Sequence, residues 1–297
     1  MIQALRAPKS IDVRPHADQL SDSDYARISA LIGTQVGIKL PPAKRLMVEG
    51  RLRKRSRTLG YAKVADYCDF LFRENGLATE ITHLIDAVTT NKTDFFREAE
   101  HFDILERQLI PSLLARPRPP SQSKIKIWSA ASSIGAEAYT IAMVMTEIAR
   151  KHGGLKFSVL GTDVSTEVLD EARHAVYPVD MVAPVPPDMQ QRYLMHGRAP
   201  GHRGEVRIVP ELRRLCHFTR LNLMDERYPF DRDVDVIFLR NVLIYFEKAT
   251  QEAVIERLTG HLRPGGYLLL GHSESMIAAN LRLKQIAPAV FQCDGGR

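Results

Sequence analysis

The chain predicts an α/β fold: a doubly wound parallel sheet preceded by an all-helical module. Three observations carry that prediction. After residue 123, short apolar runs of strand length alternate with helical stretches, the pattern of a parallel sheet with crossover helices. Before that point no run has strand character, and apolar residues recur at helical spacing. Between the two stands Arg116-Pro117-Arg118-Pro119-Pro120-Ser121-Gln122-Ser123, a break rich in proline and serine.

Residues 1–20 hold Pro8 and Pro15 among scattered charges and are expected to form a flexible tail. Ser21-Asp22-Ser23-Asp24 offers side-chain acceptors to the free N–H groups of a helix start. Tyr25, Ile28, Leu31 and Ile32 then fall on one face, with Gly33 and Gly37 as punctuation. After Pro41-Pro42 a second helix should run to about 59 and stop at Gly60, which suits a left-handed C-terminal position. Further helices are expected over 64–76, 80–88 and 95–114. Buried strands follow at 124–131, 157–163, 235–240 and 267–271, separated by helices near 136–151, 165–175 and 249–262. The stretch 178–218 interrupts this alternation with Pro184, Pro186, Pro187, Pro200, Gly201 and Gly204. Short strands at 206–209 and 216–219 make it a small inserted β-subdomain. The expected division is a helical domain at 21–89 and a sheet-based domain at 90–297.

Composition narrows the class. The 297 residues are 44% hydrophobic and 26% charged, enough for a full core. Lysine and arginine number 41 against 35 acids, a net +6, compatible with an acidic partner surface. No apolar run is long enough to cross a membrane, and the N-terminus lacks the apolar stretch of a signal peptide. Cys68, Cys216 and Cys293 are widely spaced and fit neither a disulfide framework nor a zinc site. A cytoplasmic, metal-free, monomeric protein without membrane insertion is expected.

Ligands of parallel sheets bind at the carboxyl ends of the strands. The first strand ends in Trp128-Ser129-Ala130-Ala131-Ser132-Ser133-Ile134-Gly135-Ala136-Glu137. The dinucleotide fingerprint is absent, since Gly135 stands alone, and Glu137 would place a negative charge where a pyrophosphate needs donors. The second strand ends in Gly161-Thr162-Asp163, where an acid can accept from ribose hydroxyls or cap the following helix. Together these favour a nucleoside without phosphates, and S-adenosylmethionine is the candidate.

Four stretches then resemble one family, the chemotaxis receptor methyltransferases (CheR). They are Thr90-Asn91-Lys92-Thr93-Asp94-Phe95-Phe96-Arg97-Glu98, the Trp128-Ser129-Ala130-Ala131 strand with Gly135, Glu137 and Tyr139, Leu239-Arg240-Asn241-Val242-Leu243-Ile244-Tyr245-Phe246, and Gly271-His272-Ser273-Glu274. Their order and spacing agree across about residues 21–293. The resemblance implies a Rossmann-like doubly wound sheet of the class I methyltransferase type, with an N-terminal all-α domain and a small inserted β-subdomain. It implies methyl transfer from S-adenosylmethionine to glutamates of chemoreceptor cytoplasmic helices, leaving S-adenosylhomocysteine. Residue by residue it implies that Asn91, Thr93 and Arg97 hold the methionine end, that Glu137 is a cofactor contact, and that Asp163 takes the ribose. Asn222, Leu223, Asn241 and Val242 match positions around the adenine and the methionyl part. Arg97 and Tyr245 match the residues that orient the acceptor carboxylate. The family has Gly-Glu-Glu-Pro-Tyr where this chain has Gly135-Ala136-Glu137-Ala138-Tyr139, and the expected effect is a looser first turn and weaker cofactor binding.

The span from Lys39 to Arg57, which includes the expected second helix, is strongly basic, with Lys39, Lys44, Arg45, Arg51, Arg53, Lys54, Arg55 and Arg57 against Glu49 alone. Helical spacing puts Val48, Leu52 and Leu59 inward and leaves Lys44, Arg51, Lys54 and Arg55 on an exposed arc. In the resembled family this helix faces acidic receptor helices, and those four are the expected partner contacts. Nucleic acid is the rival partner, weakened by the lack of interleaved aromatics; an amino-methylating nucleic-acid methyltransferase would also carry two prolines directly after Asn241, where Val242-Leu243 stand. A cofactor-binding regulator without catalysis is the third class. The β-subdomain matches the part that docks a receptor C-terminal peptide in some members. His272 is expected to be structural.

Overall fold

The computed structural model describes residues 18–89, 91–116, 124–280 and 283–293. Most of the expected tail, Thr90 and nearly all of the proline-rich break lie outside them.

Four helices come first: α1 (Asp22–Val36), α2 (Arg45–Thr58), α3 (Val64–Arg73) and α4 (Leu77–Val88). The Ser21 side chain caps α1 by accepting from the Asp24 N–H, and Gly37 ends it in the left-handed conformation. Ile28, Ile32, Val48, Leu52, Tyr67, Leu71 and Leu84 meet in a core of their own. Leu59 is an exception to the expected inward face: α2 stops at Thr58, and Leu59 is 39% exposed. The helix expected from residue 95 starts five residues later, as α5 (Glu100–Ile104), a π-helical turn at Leu105–Leu109 and α6 (Ile110–Leu114).

The second layer system alternates as expected: β1 (Ile125–Ala130), α7 (Ala136–Lys151), β2 (Phe157–Asp163) and α8 (Thr166–His174). An inserted unit follows, with β3 (Val176–Pro178), α9 (Pro187–Tyr193), β4 (Leu194–His196), β5 (Glu205–Ile208) and α10 (Pro210–Arg213). The main sheet resumes with β6 (Cys216–Arg220), β7 (Val234–Leu239), α11 (Lys248–Thr259), β8 (Leu262–Leu270), β9 (Leu283–Ala287) and β10 (Val290–Cys293). The seven strands lie in the order β6-β2-β1-β7-β8-β10-β9, and β3-β5-β4 form a separate small sheet. The strand expected at 216–219 therefore belongs to the main sheet, parallel to β2, and not to the inserted unit. The edge is an antiparallel hairpin, since β10 runs against β8 and β9 against β10. Apolar side chains of α7 and of β1, β2 and β7 fill one face. Those of α11 fill the other, with Trp128, Ile237 and Leu268.

The first turn of α7 is regular despite Ala136 and Ala138. The Tyr139 N–H donates to the Gly135 carbonyl at 2.9 Å, and both alanines are fully buried. Gly135 is required there: φ is +87°, and a Cβ would stand 2.9 Å from that of Ala172.

Candidate active site

The strand order reverses at β1, which has β2 on one side and β7 on the other. A crevice is expected at the carboxyl ends flanking such a point. A cleft of about 990 Å³, its open mouth included, lies there. Asn91, Thr93, Arg97, Glu137, Asp163, Asn222, Leu223, Asn241 and Val242 all line it, as do Tyr245 and Lys44. One wall is apolar, with Val36, Ile38, Val164, Leu221 and Phe246.

The helical segment closes one side of this cleft. The Lys39 N–H donates to the Tyr245 carbonyl at 2.9 Å, and Asn222 Nδ2 donates to the Gln35 carbonyl at 2.7 Å. Lys39 pairs with Glu247 at 2.6 Å. On the other side of the joint, Asp86 of α4 accepts from both the N–H and the hydroxyl of Thr166 at the start of α8.

Backbone strain gathers at the cleft. Of the eight described non-glycine residues with positive φ, Ala131, Ser133 and Asn241 line it, and Phe96 and Glu98 flank Arg97. Such conformations cost about 1–3 kcal/mol each and persist where the surroundings fix them. Here the fixing groups are visible. Ser133 N–H donates to Asp163 Oδ2 at 2.9 Å, and its hydroxyl donates to the Asn91 carbonyl at 2.8 Å. The fully buried Glu274 accepts from the N–H groups of Gly271, Asn241 and Ile244. That carboxylate ties the loop after β7, which carries Asn241 and Tyr245, to the end of β8.

Asp163 also accepts from the Ser165 N–H at 3.0 Å. Burial raises its pKa in spite of these donors, so further hydrogen bonds from a ligand's hydroxyls would favour its ionised form. Glu137 is equally committed, accepting from the Ser129 hydroxyl and from Arg240 Nε, each at 2.7 Å.

Arg240, within a motif whose other residues drew the attention, is the functional residue that sequence reasoning missed. Its side chain is 2% exposed. It donates to Glu137, to the Arg97 carbonyl at 2.7 Å and to His101 Nδ1 at 3.2 Å, and it stands 3.6 Å from Glu98. Asn241 Nδ2 donates to the other Glu98 oxygen at 3.2 Å. One guanidinium thus fixes the acid of the cleft wall and the loop that presents Arg97. A charged residue ending an otherwise apolar strand was the available signal. Glu98, His101 and His272 bring ligand-type atoms within 4.8 Å of one another, but Arg240 already supplies the positive charge among them. His272 is exposed and meets the His101 ring edge-on.

Burial, with Arg240 beside it, lowers the His101 pKa from 6.5 to about 4. Between those values the unfolded chain takes up a proton that the folded chain refuses. The contribution is complete above the unfolded pKa and is lost as pH falls toward the folded one, to a total of about 3 kcal/mol. Urea titrations from about pH 7 to about pH 5 should show a flatter stability profile for His101→Gln than for the wild type; parallel profiles would remove His101 as the cause.

Arg97 is half-buried and unpaired with Glu98 or Glu100, its Nη1 lying 3.5 Å from the Lys92 carbonyl. Tyr245 is not core: its ring lines the cleft, and the Lys44 ammonium stands 4.4 Å from the ring centroid. The exposed arc expected on α2 is narrower than its spacing suggested. Arg51 donates to the Ala87 and Thr89 carbonyls, and Arg55 pairs with the buried Glu80 at 2.6 Å. Of the four expected contacts only Lys54 is fully exposed. Arg51, Lys54 and Arg55 line a separate groove against α4 and α8.

This fold, with an acid at the end of β2 and a cleft at the strand ends where the sheet order reverses, is that of an S-adenosylmethionine-dependent methyltransferase. Residues 91–291 match the family model described as the CheR methyltransferase SAM-binding domain, and residues 23–89 match the CheR all-alpha domain. The chain is 36% identical over 275 residues to the chemotaxis protein methyltransferase of Borreliella burgdorferi, covering 92% of this chain and 95% of that one. It is 40% identical over 256 residues to the Salmonella typhimurium chemotaxis protein methyltransferase, covering 86% and 85%. The Escherichia coli protein of the same name is 39% identical over 256 residues, with the same coverage. The chain belongs to the CheR methyltransferase family. It is an enzyme, and its cofactor is S-adenosylmethionine. No helix among the described residues is long and apolar enough to cross a membrane.

Proposed function

We propose that the protein transfers the methyl group of S-adenosylmethionine to glutamate side chains on the cytoplasmic helices of chemoreceptors, forming glutamyl methyl esters. The observation that carries this is the state of the polar groups in the cleft. Glu137 and Asp163 are both committed to internal donors, and among the described residues no histidine lines the cleft. What remains is cationic or neutral: the Arg97 guanidinium, the Tyr245 hydroxyl, the amines of Lys44 and Lys92, and amide and hydroxyl groups. Such a site is poor at removing protons. It suits an acceptor that is already nucleophilic, and a glutamate with an ordinary pKa of about 4.3 is ionised at neutral pH.

The cofactor supplies a methyl group on a positively charged sulfur. Asp163 would accept from the ribose hydroxyls, with Asn222 and Leu223 enclosing the adenine. Asn91, Thr93 and Arg97 would hold the methionine end, with Glu137, Asn241 and Val242 as further cofactor contacts. Arg97 and Tyr245 would orient the acceptor carboxylate through directional hydrogen bonds, and alignment of this kind is worth about 7–11 kcal/mol.

The segment 21–89 is proposed to dock the receptor helices and 90–297 to carry the chemistry, with Lys54 and Lys44 meeting receptor acids directly. Arg51 and Arg55 chiefly brace α2 against α4. In the small sheet β3 and β4 each pair only with β5, and an unpaired strand edge supports docking of a receptor C-terminal peptide by strand addition.

The test is transfer of labelled methyl groups to receptor-bearing membranes from the same host, followed by mild alkali. Release of the label as methanol is expected, since esters hydrolyse there and N-methyl groups do not. Alkali-resistant label would overturn the glutamate assignment.

A further inference from the structure

The rim of the cleft carries three cationic side chains without a carboxylate partner, whereas the reacting glutamate and the methionine end of the cofactor bring one carboxylate each. Lys92 lines it from the segment after α4 and is exposed; Lys44 lines it from the turn before α2; Arg97 lies between the strained Phe96 and Glu98. Among the described residues none of the three has a carboxylate within ion-pair distance. Lys44 faces the Tyr245 ring, and Arg97 faces the Lys92 carbonyl. Some cations of the helical segment are neutralised, Arg45 with Asp22, Arg53 with Asp18 and Glu49, and Arg55 with Glu80, whereas Lys54 and Arg51 have no carboxylate partner among the described residues. Burial, and after it the neighbouring Arg51, lower the Lys44 pKa.

We propose that Lys92 reads a second carboxylate on the acceptor, beside the one that is methylated, so that the enzyme prefers glutamates with an acidic neighbour. This rests on the function proposed above and adds to it a specificity-determining residue. Lys92 is exposed and the pair it would make is solvent-screened, so it acts on acceptor capture more than on the chemical step. A consequence follows for adjacent sites. Esterifying one glutamate removes a charge that Lys92 reads, so the second of two neighbouring glutamates is methylated less readily than the first.

The test uses the full chain and two receptor cytoplasmic fragments from the same host. They are identical except for glutamate or glutamine beside a mapped methylation position. For the wild type, KM should be about three- to five-fold lower with the glutamate neighbour, and the difference should shrink as salt is raised. Lys92→Gln should equalise the two fragments and Lys92→Glu should reverse the preference, while the cofactor Kd measured by calorimetry stays within about two-fold. If Lys92→Gln keeps the wild-type preference, the role of Lys92 is refuted. If the wild type forms no alkali-labile ester on either fragment, the underlying function fails instead.

Discussion

Arg97→Ala should lower kcat for receptor methylation by about 10²–10³-fold, in the range seen when one donor to a reacting oxygen is removed. The fold should survive the change. What the rest of the protein holds at this position is the main-chain carbonyl, bonded by Arg240 at 2.7 Å, and alanine keeps that carbonyl. The guanidinium itself makes only a long contact with the Lys92 carbonyl. Arg97→Lys keeps the charge but loses the planar fork, so a partial defect is expected. Thermal melts should move little in either variant, and the cofactor Kd should rise less than kcat falls, since Arg97 is one of several groups at the methionine end. An alanine variant within about three-fold of the wild-type rate would remove Arg97 from the acceptor site.

Arg240→Met should produce the largest loss of stability, about 3–5 kcal/mol, because it removes one partner of a buried ion pair. Glu137 would keep only its bond from Ser129, and Glu98 would lose the cation 3.6 Å away. Arg240 is the cation shared by both acids, beside the Ser129 and Asn241 donors, so cofactor affinity should fall along with stability. Arg240→Lys tests which matters more, the charge or the several simultaneous bonds. In the Arg240→Met background, Glu98→Gln should recover part of the lost stability, the non-additivity expected of groups in one network. Urea unfolding gives the first number and cofactor titration the second. A loss below about 1 kcal/mol would mean that the pair contributes little beyond what two uncharged side chains would.

Legibility from sequence followed the range of the forces involved. Local signals read well. Ser21 caps α1 and Gly37 ends it, and the apolar runs at β1, β2 and β7 are almost wholly buried. The candidate site residues were carried by motifs, and the fold gathers them on one cleft because their segments all end at the same edge of the sheet. Pairing partners were not legible. The strand β6 reads as a short apolar run in either sheet, and only the register with β2 assigns it. The strand β9 is mostly exposed and lacks a buried alternation, so the edge hairpin left no pattern. Long-range polar links were hidden as well. Arg55 looks like a surface cation until Glu80, 25 residues on, comes to meet it.

The joint between the helical segment and the cleft has a bearing on how the family's sequences can drift. Where residues 35–39 meet residues 222 and 245, the segment contributes main-chain atoms alone to the hydrogen bonds: the Gln35 carbonyl and the Lys39 N–H, the latter against another carbonyl. A main-chain donor or acceptor is present whatever side chain its residue carries, proline's missing N–H aside. Position 35 can therefore change freely while the contact persists, and a substitution scan across it would register nothing. On the helical segment's side of these two bonds the closure is inherited through the path of the chain, and an alignment of side chains would record only the partner Asn222 and the Lys39–Glu247 pair.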